Sequence, residues 1–217
     1  MLPTPIITTL SVARLEVGHH LGIDRQIPVG AAVLTARLDG ASVRFTLDSC
    51  VLRPSDTADD LLSWLDRQLT RQGVTITGYR LADMASLLDR LPAAEWSPSL
   101  RALSGCGQQQ VYDLSASVNG TALTFPEACG LSQILCAPVD PDRRFAAWVR
   151  SDVGDIEQDA QLDVLAAFRL VLQRLPGLSS AGQAIADTIG DHFAAWLDEA
   201  DHAAARLHLA DLLSVTN

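Results

Sequence analysis

Val74-Thr-Ile-Thr-Gly-Tyr-Arg-Leu-Ala-Asp83 is the stretch whose reading decides the fold. Val74 to Thr77 is a β-branched run that reads as a strand. Gly78 and Tyr79 follow as a turn, and Asp83 stands near the start of a helix expected to reach Leu91. An Asp in that place either caps its helix or serves chemistry, and both readings are open on this stretch alone.

Toward the N-terminus the chain reads as strands. Ile6 to Val12 is a β-branched run suited to a central strand. Val29–Leu38 and Ala41–Leu52 are joined by Asp39-Gly40, a two-residue hairpin signal because both positions must tolerate φ > 0. Val43, Phe45 and Leu47 alternate with Arg44 and Thr46, as in a strand with one face buried. After Pro54 a helix is expected. Ser55, Asp56 or Thr57 would cap it, Leu61, Leu62, Leu65 and Leu69 give its apolar stripe, and Gly73 closes it.

Toward the C-terminus, residues 92–110 are rich in Pro, Ser and Gly and read as an insertion or long loop. Val111–Leu114 is a short strand, Thr124–Leu131 a short helix, and Asp155–Leu175 a long amphipathic helix ended by Pro176-Gly177. Beyond Gly177 the pattern is all helix, with Ala184, Ile185, Ile189, Phe193, Trp196 and Leu197 as a stripe facing the core or a partner subunit. The expectation is an α/β protein, with a mixed sheet over residues 1–177 and a helical extension over 178–217 packed on it.

Composition narrows the function. The 217 residues are 48% hydrophobic and 19% charged, which suits a folded core. A net charge of −10 gives no long-range attraction to nucleic acid, so a general coating role is disfavoured. All 16 basic residues are Arg, which reads as compositional bias. Cys50, Cys106, Cys129 and Cys136 contain no C-x-x-C pair, so they read as apolar thiols in a reducing compartment. The N-terminus does not read as a signal peptide and no run reads as a membrane span, so a cytoplasmic location is expected.

The second informative stretch is Asp155-Ile-Glu-Gln-Asp-Ala-Gln-Leu-Asp-Val164. Asp159 and Asp163 are spaced i, i+4 on one helix face, and an acidic start also suits the helix dipole with no metal involved. Just upstream, Arg143 and Arg144 with Phe145 and Trp148 are a basic-aromatic patch. It would either hold a single strand by stacking and phosphate contact or pack as a loop on the tail helices. His19-His20 lack a partner set for a metal, and no phosphate loop, nucleophile elbow or dinucleotide fingerprint occurs.

In their order, the three-strand meander, the Gly78-Tyr79…Asp83 turn, the strand with Asp113 and the Asp159-x-x-x-Asp163 helix resemble the DEDD family of 3′-5′ exonucleases. The resemblance is closest to stand-alone relatives of the exonuclease domain of family B DNA polymerases. It implies a ribonuclease-H-like fold and two-metal hydrolysis at nucleic-acid ends, with Mg²⁺ or Mn²⁺ held by carboxylates. Carried over residue by residue, it makes Glu16, Asp83 and Asp163 metal ligands and puts Asp159 in the water-orienting place. Tyr79, Arg80, Arg143 and Arg144 would contact a single-stranded end. The first motif departs from the family: in Arg14-Leu15-Glu16 a guanidinium stands where the bridging carboxylate belongs. Asp24 or Asp48 are alternative sources of that acid. The resemblance so altered implies weakened or lost cleavage, or a scaffold of the same fold assembling through its C-terminal helices.

Overall fold

In a computed structural model of the chain, residues 6–17, 22, 25–40, 42–115, 117–118, 120–177 and 182–215 are described. His19, His20 and Asp24 lie outside them. The main sheet is built from β1 (Ile6–Glu16), β2 (Gln26–Asp39), β3 (Ser42–Val51), β4 (Val74–Tyr79) and β5 (Gln110–Leu114). Its order is β3-β2-β1-β4-β5. The first three strands are antiparallel neighbours, whereas β4 runs parallel to β1 and β5 parallel to β4. This is the expected ribonuclease-H-like mixed sheet. The hairpin falls at Asp39-Gly40, with Gly40 at φ 64 and Asp39 paired with Ser42.

Helices cover both faces because each inner strand is apolar on both sides. On one face α1 (Ala58–Leu69), α2 (Leu81–Leu88) and α3 (Pro98–Leu103) enclose Leu10, Val33, Leu61, Leu65, Ile76 and Leu88. The α3 helix lies inside the stretch that composition reads as a loop. Ser97 precedes Pro98 at its first turn, a helix start with ordinary chemistry. On the other face lies α6 (Gly154–Arg174), preceded by α4 (Phe125–Leu131) and α5 (Pro141–Val149). A small hairpin of β6 (Ser117–Val118) and β7 (Thr121–Ala122) leads into α4.

The tail forms α7 (Gly182–Glu199) and α8 (Ala203–Val215), and it belongs to the α6-side core. Phe193 of α7 meets Phe168 of α6 at 5.1 Å between ring centroids and Phe45 of β3 at 5.4 Å. The buried stripe of α7 is Ala186, Ile189, Phe193 and Leu197, and Ile185 is exposed. α8 is fastened by a buried polar set. His208 is fully buried, and its Nδ1 receives the Arg169 guanidinium while its Nε2 donates to the Leu162 carbonyl at 3.0 Å. Arg169 also pairs with Asp211, which accepts the Leu135 N–H at 3.2 Å. Among the described residues no helix is long and apolar enough to cross a membrane.

Phe193→Ala is expected to cost about 3–5 kcal/mol, as for a buried aromatic in a closed core. Chemical denaturation should still show one transition. A loss below about 1 kcal/mol, or a separate tail transition, would contradict a core shared between sheet and tail.

Candidate functional site

Asp159 and Asp163 sit on α6 one turn apart, and each is enclosed differently. Asp159 is 4% exposed. Arg143 Nη2 lies 2.7 Å and 2.6 Å from its two oxygens, and Arg144 Nε donates to the second at 2.9 Å. Arg143 also reaches Asp155 at 3.4 Å. The two arginines arrive together because α5 begins at Asp140-Pro141. The Asp140 side chain caps that helix by accepting the Arg143 N–H at 2.9 Å, and Pro suits its first turn. Trp148, on the same helix, donates Nε1–H to the Leu52 carbonyl at 3.0 Å, so the patch is a packed helix.

Asp163 accepts the Ala137 N–H at 2.9 Å. Burial pushes its carboxyl up to about 6. The Ala137 N–H and the charges of Arg144 and Arg14 pull it back, and the neighbouring Asp159 adds to the rise. Further along α6, Glu157 accepts the Ser49 hydroxyl at 2.6 Å, and Gln161 Nε2 donates to Ser49 Oγ at 2.9 Å. That bridge between β3 and the helix start leaves Glu157 serving structure.

The first strand supplies no acid toward α6. Ala13 and Leu15 pack into the α6-side core, so the pleat sets the Cβ atoms of Arg14 and Glu16 toward the opposite face. Ser11 shares the phase of Ala13 and carries a hydroxyl. Arg14 and Glu16 make a loose pair at 3.7 Å, both well exposed. Asp48 is exposed on β3, out of phase with the inward Phe45 and Leu47.

At the end of β4, Asp83 is exposed and its carboxylate pairs with Arg80 Nη2 at 2.7 Å. Arg80 holds the left-handed turn before α2 at φ 55, and its N–H donates to the Leu114 carbonyl at 2.8 Å. A Cβ on Gly78 would come within 2.6 Å of Leu81 Cδ2 and 2.9 Å of the Leu10 carbonyl, which accounts for the glycine. Tyr79, expected against substrate, is packed into the core. It is 3% exposed, its hydroxyl donates to the Leu123 carbonyl at 2.7 Å, and its ring lies 5.4 Å from that of Phe125. Asp113 sits beside this turn and accepts the Ala82 N–H at 3.4 Å, a cap for α2 supplied by the next strand.

The expected donor set is therefore not assembled. Among the described residues no group of three or more His, Cys, Asp or Glu is placed to hold a metal ion. A two-metal centre needs converging oxygens. Here Asp159 faces guanidinium groups, Asp83 is turned to Arg80, and β1 offers a hydroxyl and a methyl. These residues do not fit Mg²⁺ or Mn²⁺ as a catalytic pair.

No family model matches the chain, and no curated protein does. Among solved structures it is similar to apo exonuclease I, with TM-score 0.45 and 16% identity over 81% of this chain and 43% of that one. A zinc-bound complex of E. coli exonuclease I with single-stranded DNA gives 0.44 and 11% identity, over 80% and 41%. The E. coli enzyme with a dT13 oligonucleotide gives 0.41 and 14% identity, over 80% and 42%. The chain spans less than half the length of these structures.

Asp163 and His208 titrate against each other. Asp163 holds its proton to about 6 when folded and to 3.8 when unfolded, so its share of stability rises as pH falls from 6 toward 4. Burial lowers His208 to about 4 from 6.5, so its share is lost as pH falls from 6.5 toward 4. Each is worth up to about 3 kcal/mol. Asp163→Asn should stabilise the protein by about 1–2 kcal/mol at pH 7.5 and not at pH 4, and His208→Gln should lessen the acid-side loss. Urea midpoints at the two pH values check both; an Asp163→Asn gain that persists at pH 4 would refute the desolvated carboxyl.

Proposed function

We propose that this chain is a non-cleaving, exonuclease-like protein that engages single-stranded nucleic-acid ends without divalent metal. The observation that carries this reading is Asp159 held between Arg143 and Arg144, where hydrolysis would need a group free to orient the attacking water. The order of elements and motifs supports the exonuclease-like part, including the finer affinity with relatives of the family B polymerase exonuclease domain. The single-stranded end is the ligand class that resemblance implies. Arg14 is half exposed and only loosely paired with Glu16, which leaves its guanidinium able to take a phosphate. A cytoplasmic setting belongs to the same proposal.

A second reading is a protein-interaction scaffold. It is favoured by the outward side of α8, where Leu207 and Leu213 are 42% and 59% exposed. In this reading the tail helices join copies of the chain or a partner protein.

A 5′-labelled single-stranded oligonucleotide incubated with Mn²⁺ or Mg²⁺ should keep its length. Millimolar Mn²⁺ should leave the melting temperature unchanged, whereas a site filled at 100 times its Kd would add about 2.7 kcal/mol. Fluorescence anisotropy at low salt should report binding that weakens with salt and falls several-fold in Arg14→Ala. Chelator-sensitive shortening from the 3′ end would overturn the non-cleaving assignment. Absence of binding at low salt would transfer the case to the scaffold reading.

A further inference from the structure

The three parallel strands leave a hollow at their N-terminal ends. On the α6 side of the sheet, a cavity of about 440 Å³ is floored by Ile7 of β1, Thr75 of β4 and Tyr112 of β5. Val171 of α6 and Leu175 just beyond it form the wall. Thr75 and Thr77 put short side chains on this part of β4, and Thr77 is committed to the Thr9 hydroxyl at 2.8 Å. β5 is the last strand of the sheet, so no further strand closes the hollow on that side.

A second cavity, of about 560 Å³, lies between the turn after α1 and the approach to β5, where Arg71, Gln72 and Gln108 line it. Thr75 and Gln110 line both cavities. The two therefore meet in one hollow, apolar at one end and polar at the other. The chain has 26 acidic residues against 16 arginines, yet neither lining includes an Asp or Glu. Arg71 is the single charged residue in the two linings. Its Nε donates to the Arg67 carbonyl at 3.1 Å and its Nη2 to Gln68 Oε1 at 2.8 Å. Both acceptors are neutral, so the guanidinium is held in place, and among the described residues no carboxylate balances it.

We propose that this hollow binds a small amphipathic carboxylate, its apolar body between Tyr112, Val171 and Leu175 and its head on Arg71. The guanidinium offers a planar fork that matches a carboxylate, and the Gln72 and Gln108 amides supply further donors. The apolar part alone falls within the range of ordinary small-molecule sites, roughly 300–1,000 Å³. A cationic ligand would meet no acid in the lining, and a neutral apolar one would leave Arg71 unbalanced. A polyanion would meet only one cation. The hollow lies at the opposite end of β1 and β4 from Arg14 and Arg80, so it stands or falls separately from the nucleic-acid reading.

The test is isothermal titration calorimetry at pH 7.5 with octanoate, with octanol and octyltrimethylammonium as neutral and cationic probes of the same length. Octanoate is expected to bind saturably at one site per chain, octanol about tenfold more weakly and the cation not at all. Arg71→Gln should bring octanoate down to the affinity of octanol. Gln110→Trp, which fills the junction of the two cavities from an exposed strand position, should remove binding of both. Circular dichroism and an unchanged melting temperature confirm that each variant is folded. Arg44→Gln, an exposed arginine on the far edge strand, should bind octanoate as the parent does. Octanol binding as tightly as octanoate would overturn the assignment, as would octanoate affinity unchanged in Arg71→Gln or in Gln110→Trp. An equal loss in Arg44→Gln, or no saturable octanoate binding, would do the same.

Discussion

Everything at the candidate cleft follows from the packing of α6 across the inner face of the sheet. The helix buries Ile156, Val164, Leu165 and Phe168 against β1, β2 and β3. Asp159 and Asp163 sit between those apolar positions, so packing draws two carboxylates into a poorly solvated place. A buried charge must be paired, hydrogen-bonded or neutralised by a proton. Each carboxylate takes a different exit. Asp159 is paired with two guanidinium groups, and Asp163 holds a backbone N–H while its proton affinity rises.

This division weighs against a metal centre more strongly than the altered first motif does alone. A divalent cation competing for Asp159 would have to displace Arg143 and Arg144, and both would remain near the dication as like charges. Arg143 is held by its backbone to Asp140 and by its side chain to Asp155 as well as Asp159. The arginines are thus part of the junction between α5 and α6. Arg14, across the junction, lends further positive potential to Asp163. The cleft balances its acidity from within the chain.

The elements that repeat a local pattern were legible in the sequence. Alternation over Val43–Leu47, the Asp39-Gly40 turn and the leucine spacing of α1 each point to structures that form, because the signal and the packing share one period. β1 continues past Val12 to Glu16, since Ala13 and Leu15 keep the same pleat into the core. Two helices were missed although their starts are written: Ser97-Pro98 opens α3 and Asp140-Pro141 opens α5. Both are short, and a Pro-rich stretch reads as loop unless the Pro is placed at a first turn. The site was less legible. The convergence of Arg143 and Arg144 on Asp159 depends on the angle between α5 and α6, which no spacing encodes. Tyr79 illustrates the same limit, because a Gly-Tyr turn looks alike whether the ring faces a ligand or, as here, Phe125.

The tail explains why the cleft keeps its geometry. Between α4 and α5, Ser132, Gln133 and Ile134 close a turn on the end of α4, whereas Leu135 and Ala137 donate their N–H groups to other helices. Asp211 of α8 takes Leu135, and Asp163 of α6 takes Ala137. Arg169 then ties Asp211 to α6, and His208 closes the set against the Leu162 carbonyl. Without α8, Arg169 would keep a largely buried charge with no carboxylate and Leu135 would lose its acceptor, penalties large enough to shift the segment. Without α7, the ring of Phe168 would lose Phe193 and face solvent on that side. The C-terminal helices are therefore a support for the wall on which Asp163 rests, and the shape of the cleft depends on residues more than forty positions downstream of its carboxylates.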